Sequence, residues 1–113
     1  MLEAEKSIMI LEPLNYIRFM NLVFNCRFAL TDSGGIQEET SYLGIPCLTL
    51  RPNTERPVTI TEGTNRLCTA ETFENEVDSI LDERGKQNTK IDLWDGQTAG
   101  RVVESIKRRF NLL

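Results

Sequence analysis

Apolar residues along this chain come in two alternating rhythms. Short unbroken runs are separated by stretches in which apolar side chains recur every three or four positions. Ser7-Ile8-Met9-Ile10-Leu11, closed by Glu12-Pro13, predicts a buried strand. From Leu14 to about Cys26, Leu14, Ile17, Phe19, Met20, Val23 and Phe24 fall at helical spacing, and Pro13 suits the position just before or at the first turn. Arg27 to Thr31 predicts a second strand. Ile36, Thr40 and Leu43 share one face of a following helix, with Gly44 at its C′ position. Pro46-Cys47-Leu48-Thr49-Leu50 is nearly all apolar, as a strand covered on both faces requires.

The second half continues the alternation. Arg51 to Pro57 predicts a loop with two prolines and two arginines, and Pro57 to Glu62 a short helix closed by Gly63. Asn65 to Thr69 predicts a fourth strand. Thr72 has the chemistry of an N-cap for a helix with Phe73, Val77, Ile80 and Leu81 inward, and Glu74 and Glu76 lie in its first turn, where the helix dipole favours them. Gly85 to Thr89 is a polar break and Ile91 to Gly96 is irregular. A last helix spans about Thr98 to Phe110, with Val102, Val103 and Ile106 as its apolar stripe and Lys107, Arg108 and Arg109 near its end. Strand–helix alternation predicts an α/β layered domain, a parallel sheet with flanking helices. No internal repeat or linker divides the chain, so residues 1–113 read as a single unit.

Such sheets bind ligands beyond the carboxyl ends of their strands. The turns after three of the predicted strands should therefore share one edge: Glu12-Pro13, Thr31-Asp32-Ser33-Gly34-Gly35 and the Arg51–Arg56 loop. The glycine turn opens a helix. Its glycines let backbone approach a ligand, and the first free N–H groups of the helix point outward with partial positive charge. Glu38 and Glu39 lie about one turn further on, where a carboxylate can accept from a ribose diol. The plain structural alternative is a strand–turn–helix with Ser33 or Asp32 as N-cap.

Composition narrows the function. The chain has 113 residues, a net charge of -4 and 40% apolar content, which suits one globular domain with no general attraction for nucleic acid or anionic membranes. No apolar segment is long enough for a membrane helix, and Met1 to Lys6 is polar rather than a leader. Three cysteines, Cys26, Cys47 and Cys68, form no CxxC pair. They read as reduced, small core residues of a cytoplasmic protein rather than a disulfide or zinc framework. There is no histidine, so neither His-activated nucleophiles nor His–metal sites arise within this chain.

The linked motifs Thr31-Asp32-Ser33-Gly34-Gly35-Ile36-Gln37-Glu38-Glu39, Leu43-Gly44-Ile45-Pro46, Thr54-Glu55-Arg56-Pro57 and Glu62-Gly63-Thr64 resemble the non-hydrolysing UDP-N-acetylglucosamine 2-epimerases. Leu11-Glu12-Pro13-Leu14-Asn15-Tyr16 and Trp94-Asp95-Gly96-Gln97 fit the same pattern. Two places depart from it: Val58 stands where the family more often has an acidic residue, and Arg51-Pro52-Asn53 is unusual.

The resemblance implies a Rossmann-like sheet that is part of the C-terminal half of a GT-B-type two-domain fold. It implies interconversion of UDP-GlcNAc and UDP-ManNAc by elimination of UDP and its re-addition, with no metal or other cofactor. Ser33, Gly34 and Gly35 would bind the diphosphate, Glu39 the ribose hydroxyls and Arg56 the nucleotide-sugar. Phe19 would lie beside the uracil, and the backbone at Leu14 would contact the base edge. Phe19 as a core residue and Arg56 as a surface charge are the structural alternatives. The family's acid/base carboxylates and a key histidine precede the matching segment, so the isolated chain is expected to be inactive and to expose apolar surface, open to self-association or to a separate N-terminal chain. A GT-B glycosyltransferase half and a non-catalytic interaction or remnant module are the alternative functions.

Overall fold

A computed structural model describes residues 7–83 and 87–112. The elements follow the order α1 (Tyr16–Asn25), β1 (Ala29–Thr31), α2 (Gly34–Leu43), β2 (Cys47–Thr49), α3 (Val58–Thr61), β3 (Asn65–Leu67), α4 (Phe73–Asp82) and α5 (Thr98–Phe110). The strands form a parallel sheet in the order β1-β2-β3. Leu30, Leu48 and Arg66 are aligned across it. This is the parallel, helix-flanked sheet that the alternation predicts.

Central strand β2 is buried along its whole length, and period-two alternation divides its side chains between the two faces. Leu48 packs with Cys68 and Ile80, and Phe28, Phe73 and Val77 close this cluster from its edges. Thr49 faces the other way, into a polar network with Asn65. One face of the sheet is thus an apolar core against α4, and the other carries the hydrogen bonds that position the α2 side.

Several expectations are corrected. Ser7–Leu11 is not a strand: it joins no ladder, and Ile8, Met9, Ile10 and Leu11 are exposed. A strand needs a neighbour's hydrogen bonds, which local apolarity cannot supply. Helix α1 starts at Tyr16, two residues later than the apolar pattern begins. Asn15 is the N-cap, its side chain accepting from Arg18 N at 3.0 Å, and Pro13 lies outside the helix. Thr72 stands at the N-cap position of α4 but makes no side-chain cap; its hydroxyl accepts from Thr69 N at 2.9 Å. Leu81, expected inward, is exposed. The strand expected over Asn65–Thr69 ends at Leu67, and the start of the Gly85–Thr89 break lies outside the described residues.

Gly44 ends α2 in the left-handed region, at φ 73°. Its carbonyl accepts from Gln87 N at 2.8 Å, and a Cβ here would stand 2.1 Å from the Gln87 carbonyl oxygen. Backbone sign and space both demand glycine. Gly44→Ala is expected to cost at least about 1–2 kcal/mol from the left-handed backbone, with the clash adding to it. Urea unfolding should show a lower midpoint at unchanged slope.

The chain leaves much apolar surface bare. Its radius of gyration is 17.6 Å, against about 13 Å for a compact domain of this length. No residue of α5 is buried, and Val102, Val103 and Ile106 of its stripe are each about half exposed. On α1, Val23 is buried while Ile17, Phe19, Leu22 and Phe24 are exposed. The α5 start is held locally instead. Arg101 Nη1 donates to Asp95 Oδ1 at 2.9 Å, and Gln97 N donates to the same oxygen at 3.0 Å. The Arg101 guanidinium, followed by the Gln97 amide, lowers the Asp95 pKa to about 2. Cys26, Cys47 and Cys68 are free thiols, each pushed up by burial.

Candidate functional site

The glycine turn sits where β1 hands over to α2. Ser33 is the N-cap residue in extended conformation, but its hydroxyl makes no capping bond. The turn is braced from outside: Ser33 N donates to Thr31 Oγ1 at 3.0 Å, and Gln37 Nε2 donates to Ser33 O at 3.1 Å. Gly35 faces open space. Gly34 does not. A Cβ on Gly34 would stand 2.5 Å from Glu55 Oε1 and 3.2 Å from Arg56 Nε. The arginine-bearing loop after β2 therefore lies against the first turn of α2. The turn and Arg56, 21 residues apart in sequence, are brought together.

Arg56 carries two distinct kinds of contact. Its Nη1 donates to Glu38 Oε1 at 2.5 Å, in a partly exposed ion pair. Its Nε is buried without a hydrogen bond, its nearest carboxylate being Glu55 Oε1 in a long ion pair at 4.0 Å. A buried cationic donor left unbonded is costly and is an opening for an incoming acceptor. Glu55 stays ionised beside it: a hydrogen bond from its own backbone amide, and then the charges of Arg51 and Arg56, hold its carboxyl below the usual range. Of the two adjacent glutamates, Glu38 is thus the partner of Arg56.

Glu39 faces α1. Tyr16 donates its phenol proton to Glu39 Oε1 at 2.9 Å, and this bond raises the Tyr16 pKa. The two residues belong to a cleft of about 510 Å³ that also takes in Met20, Glu38, Tyr42 and Trp94. Phe19 is half exposed and lies about one turn along α1 from Tyr16. Leu14 is half-buried just ahead of α1. The structure thus gathers Ser33, Gly34, Gly35 and Arg56 at one spot and sets Glu39 beside α1.

Residue-type reasoning missed three polar side chains beneath the site. Gln37 and Asn65 are almost fully buried, and Thr54 is half-buried. Gln37 Oε1 accepts from Thr54 Oγ1 at 2.6 Å and from Asn65 Nδ2 at 3.0 Å. The available signal was position: Gln37 stands between Ile36 and Thr40 on the inward side of α2, where a polar residue needs a partner.

Parallel strands, a glycine turn at a helix start and a facing arginine define the class: a Rossmann-like domain whose glycine turn and arginine meet at one edge of the sheet. A family model described as UDP-N-acetylglucosamine 2-epimerase matches residues 1–107. The chain belongs to the UDP-N-acetylglucosamine 2-epimerase family. It is 41% identical over 104 residues to the Methanocaldococcus jannaschii UDP-N-acetylglucosamine 2-epimerase, covering 90% of this chain and 28% of the relative. Against the Escherichia coli K12 enzyme of that name, identity is 35% over 108 residues, covering 90% of this chain and 29% of the relative. The crystal structure of the M. jannaschii enzyme in complex with UDP-GlcNAc and UDP superposes with a TM-score of 0.82 at 38% identity, over 95% of this chain and 30% of that one. The Neisseria meningitidis enzyme bound to UDP-GlcNAc gives 0.71 at 30% identity, over 95% and 31%. These enzymes have a GT-B-type fold, of which the three-stranded sheet and its helices are one portion. The chain spans less than a third of the length of the relatives it matches.

Proposed function

We propose that this chain forms the UDP-binding portion of a UDP-N-acetylglucosamine 2-epimerase, which interconverts UDP-GlcNAc and UDP-ManNAc by eliminating UDP and adding it back after the sugar has changed faces. The observation that carries the reading is the buried, unbonded Arg56 Nε set against the Gly34 turn. A diphosphate oxygen there meets backbone N–H groups at the α2 start and a guanidinium together. Arg56 then offsets the charge that grows on departing UDP. Ser33, Gly34 and Gly35 hold the phosphates. Glu39, turned from the Tyr16 phenol, accepts from the ribose hydroxyls. Phe19 lies beside the uracil, with the Leu14 backbone at the base edge.

This portion binds and orients; it does not move the proton at C2. The chain has no histidine, and the carboxylates near Arg56 are paired with it or with Arg51. The acid/base groups come from an N-terminal domain, on the same or a separate chain, which also covers the bare apolar surface. The family reading implies work in the cytoplasm, on precursors of surface polysaccharide. The family match displaces the glycosyltransferase alternative.

Calorimetric titration with UDP tests the reading. The 113-residue chain should bind UDP. Glu39→Ala should weaken binding by about tenfold, the loss of one to two hydrogen bonds to a charged acceptor. Pure chain alone should give no conversion of UDP-GlcNAc, and addition of an N-terminal domain should restore it. Absence of binding at millimolar UDP, or conversion by the chain alone, would overturn the proposal.

A further inference from the structure

The polar residues beneath the site form a closed ring around the backbone of Arg56. Arg56 N donates to Thr54 Oγ1 at 3.0 Å, and Thr54 Oγ1 donates to Gln37 Oε1 at 2.6 Å. On the other side, Thr59 Oγ1 donates to Arg56 O at 2.7 Å and lies 3.1 Å from Asn65 Nδ2, from which it accepts. Asn65 Nδ2 closes the ring by donating its second proton to Gln37 Oε1 at 3.0 Å. Every donor in the ring meets an acceptor, so the directions of all five bonds are set.

The ring is anchored in the fold. Gln37 and Thr59 are fully buried and Asn65 is 2% exposed. Asn65 Oδ1 accepts from Thr49 Oγ1 at 2.5 Å on the central strand. The Gln37 amide nitrogen, the one polar atom of that side chain facing away from the ring, donates to the carbonyl of Ser33. A single buried amide therefore holds both the glycine turn and the loop that presents Arg56.

We infer that Thr54 and Gln37 are positioning residues that set the Arg56 guanidinium against the Ser33–Gly35 turn, so that recognition of a nucleoside diphosphate depends on two side chains that do not touch it. The inference rests on reading that turn and Arg56 as the diphosphate site. Neither residue carries charge and neither offers an atom to the ligand. Their effect is geometric: with the N–H and C=O of Arg56 both clamped, the guanidinium starts from one backbone position, and less ordering is left to the binding step.

The test is a protein-observed NMR titration of the 113-residue chain with UDP and with uridine. Thr54→Val keeps the shape of the side chain and removes its hydroxyl. Expected is a loss of UDP affinity of about tenfold, the scale of one lost buried hydrogen bond, with a clearly smaller loss for uridine. Thr54→Ser should restore UDP binding. In an Arg56→Ala background, Thr54→Val should add no further loss, because the residue acts through Arg56. Equal losses for UDP and uridine, or an equal loss with and without Arg56, would overturn the inference while leaving the UDP site standing. If wild-type chain binds no UDP, or Arg56→Ala binds as tightly as wild type, the site reading fails and the inference with it. Amide spectra of each variant report whether it is folded. If Thr54→Val is unfolded, Thr59→Val tests the other side of the same clamp by the same criteria.

Discussion

Arg56→Ala is expected to lower UDP affinity by about 10–100-fold, because hydrogen bonds from a charged donor contribute about 1.5–3 kcal/mol each. The fold should barely notice. The Arg56–Glu38 ion pair is partly exposed on both sides, and such pairs contribute at most about 1 kcal/mol. The backbone clamp on residue 56 uses only its N–H and C=O, which alanine retains. Arg56→Lys should recover part of the affinity, since an ammonium keeps the charge but lacks the planar fork. Calorimetry at two salt concentrations separates these outcomes. A wild-type-like affinity for Arg56→Ala would return Arg56 to the role of a surface charge.

Gln37→Met should have the largest effect on stability. Methionine fits the volume but strands the groups that Gln37 satisfies. The Asn65 amide and the Thr54 hydroxyl each lose an acceptor, and the Ser33 carbonyl loses a donor. At about 1–3 kcal/mol for the buried Asn65 amide, and less for the half-buried Thr54 hydroxyl and the carbonyl of exposed Ser33, a total loss of about 2–4 kcal/mol is expected. For a chain that already leaves α5 and much of α1 bare, that is a large share of the total. The denaturation midpoint measures it. A loss under 1 kcal/mol would mean that water replaces the amide, and that the network does not hold the turn.

The elements that were legible in the sequence are those whose signals are local. Strand β2 announced itself by a nearly all-apolar run, and it is the buried central strand. Gly44 followed an apolar helical face and has the left-handed backbone expected at C′. The glycine turn was visible because glycines, a hydroxyl and a helix start have one shared use. Ser7–Leu11 misled because the same apolar run reads as a strand with or without a neighbour, and hydrogen-bond partners are not encoded in the run itself. The stripe on α5 was read correctly as apolar, yet nothing among the described residues buries it.

What the sequence by itself determined is the kind of site and its parts: a parallel α/β domain, the Ser33–Gly35 turn, and an arginine on the loop after the next strand. Each follows from residue type and short-range spacing. Only the tertiary structure decided how the parts meet. It set Arg56 against Gly34, gave Arg56 to Glu38 and Tyr16 to Glu39, and closed the ring through Gln37, Thr54, Thr59 and Asn65. The physical reason is burial. A polar side chain enclosed by the fold must find its partners there, and those partners come from strands and loops up to 28 residues away.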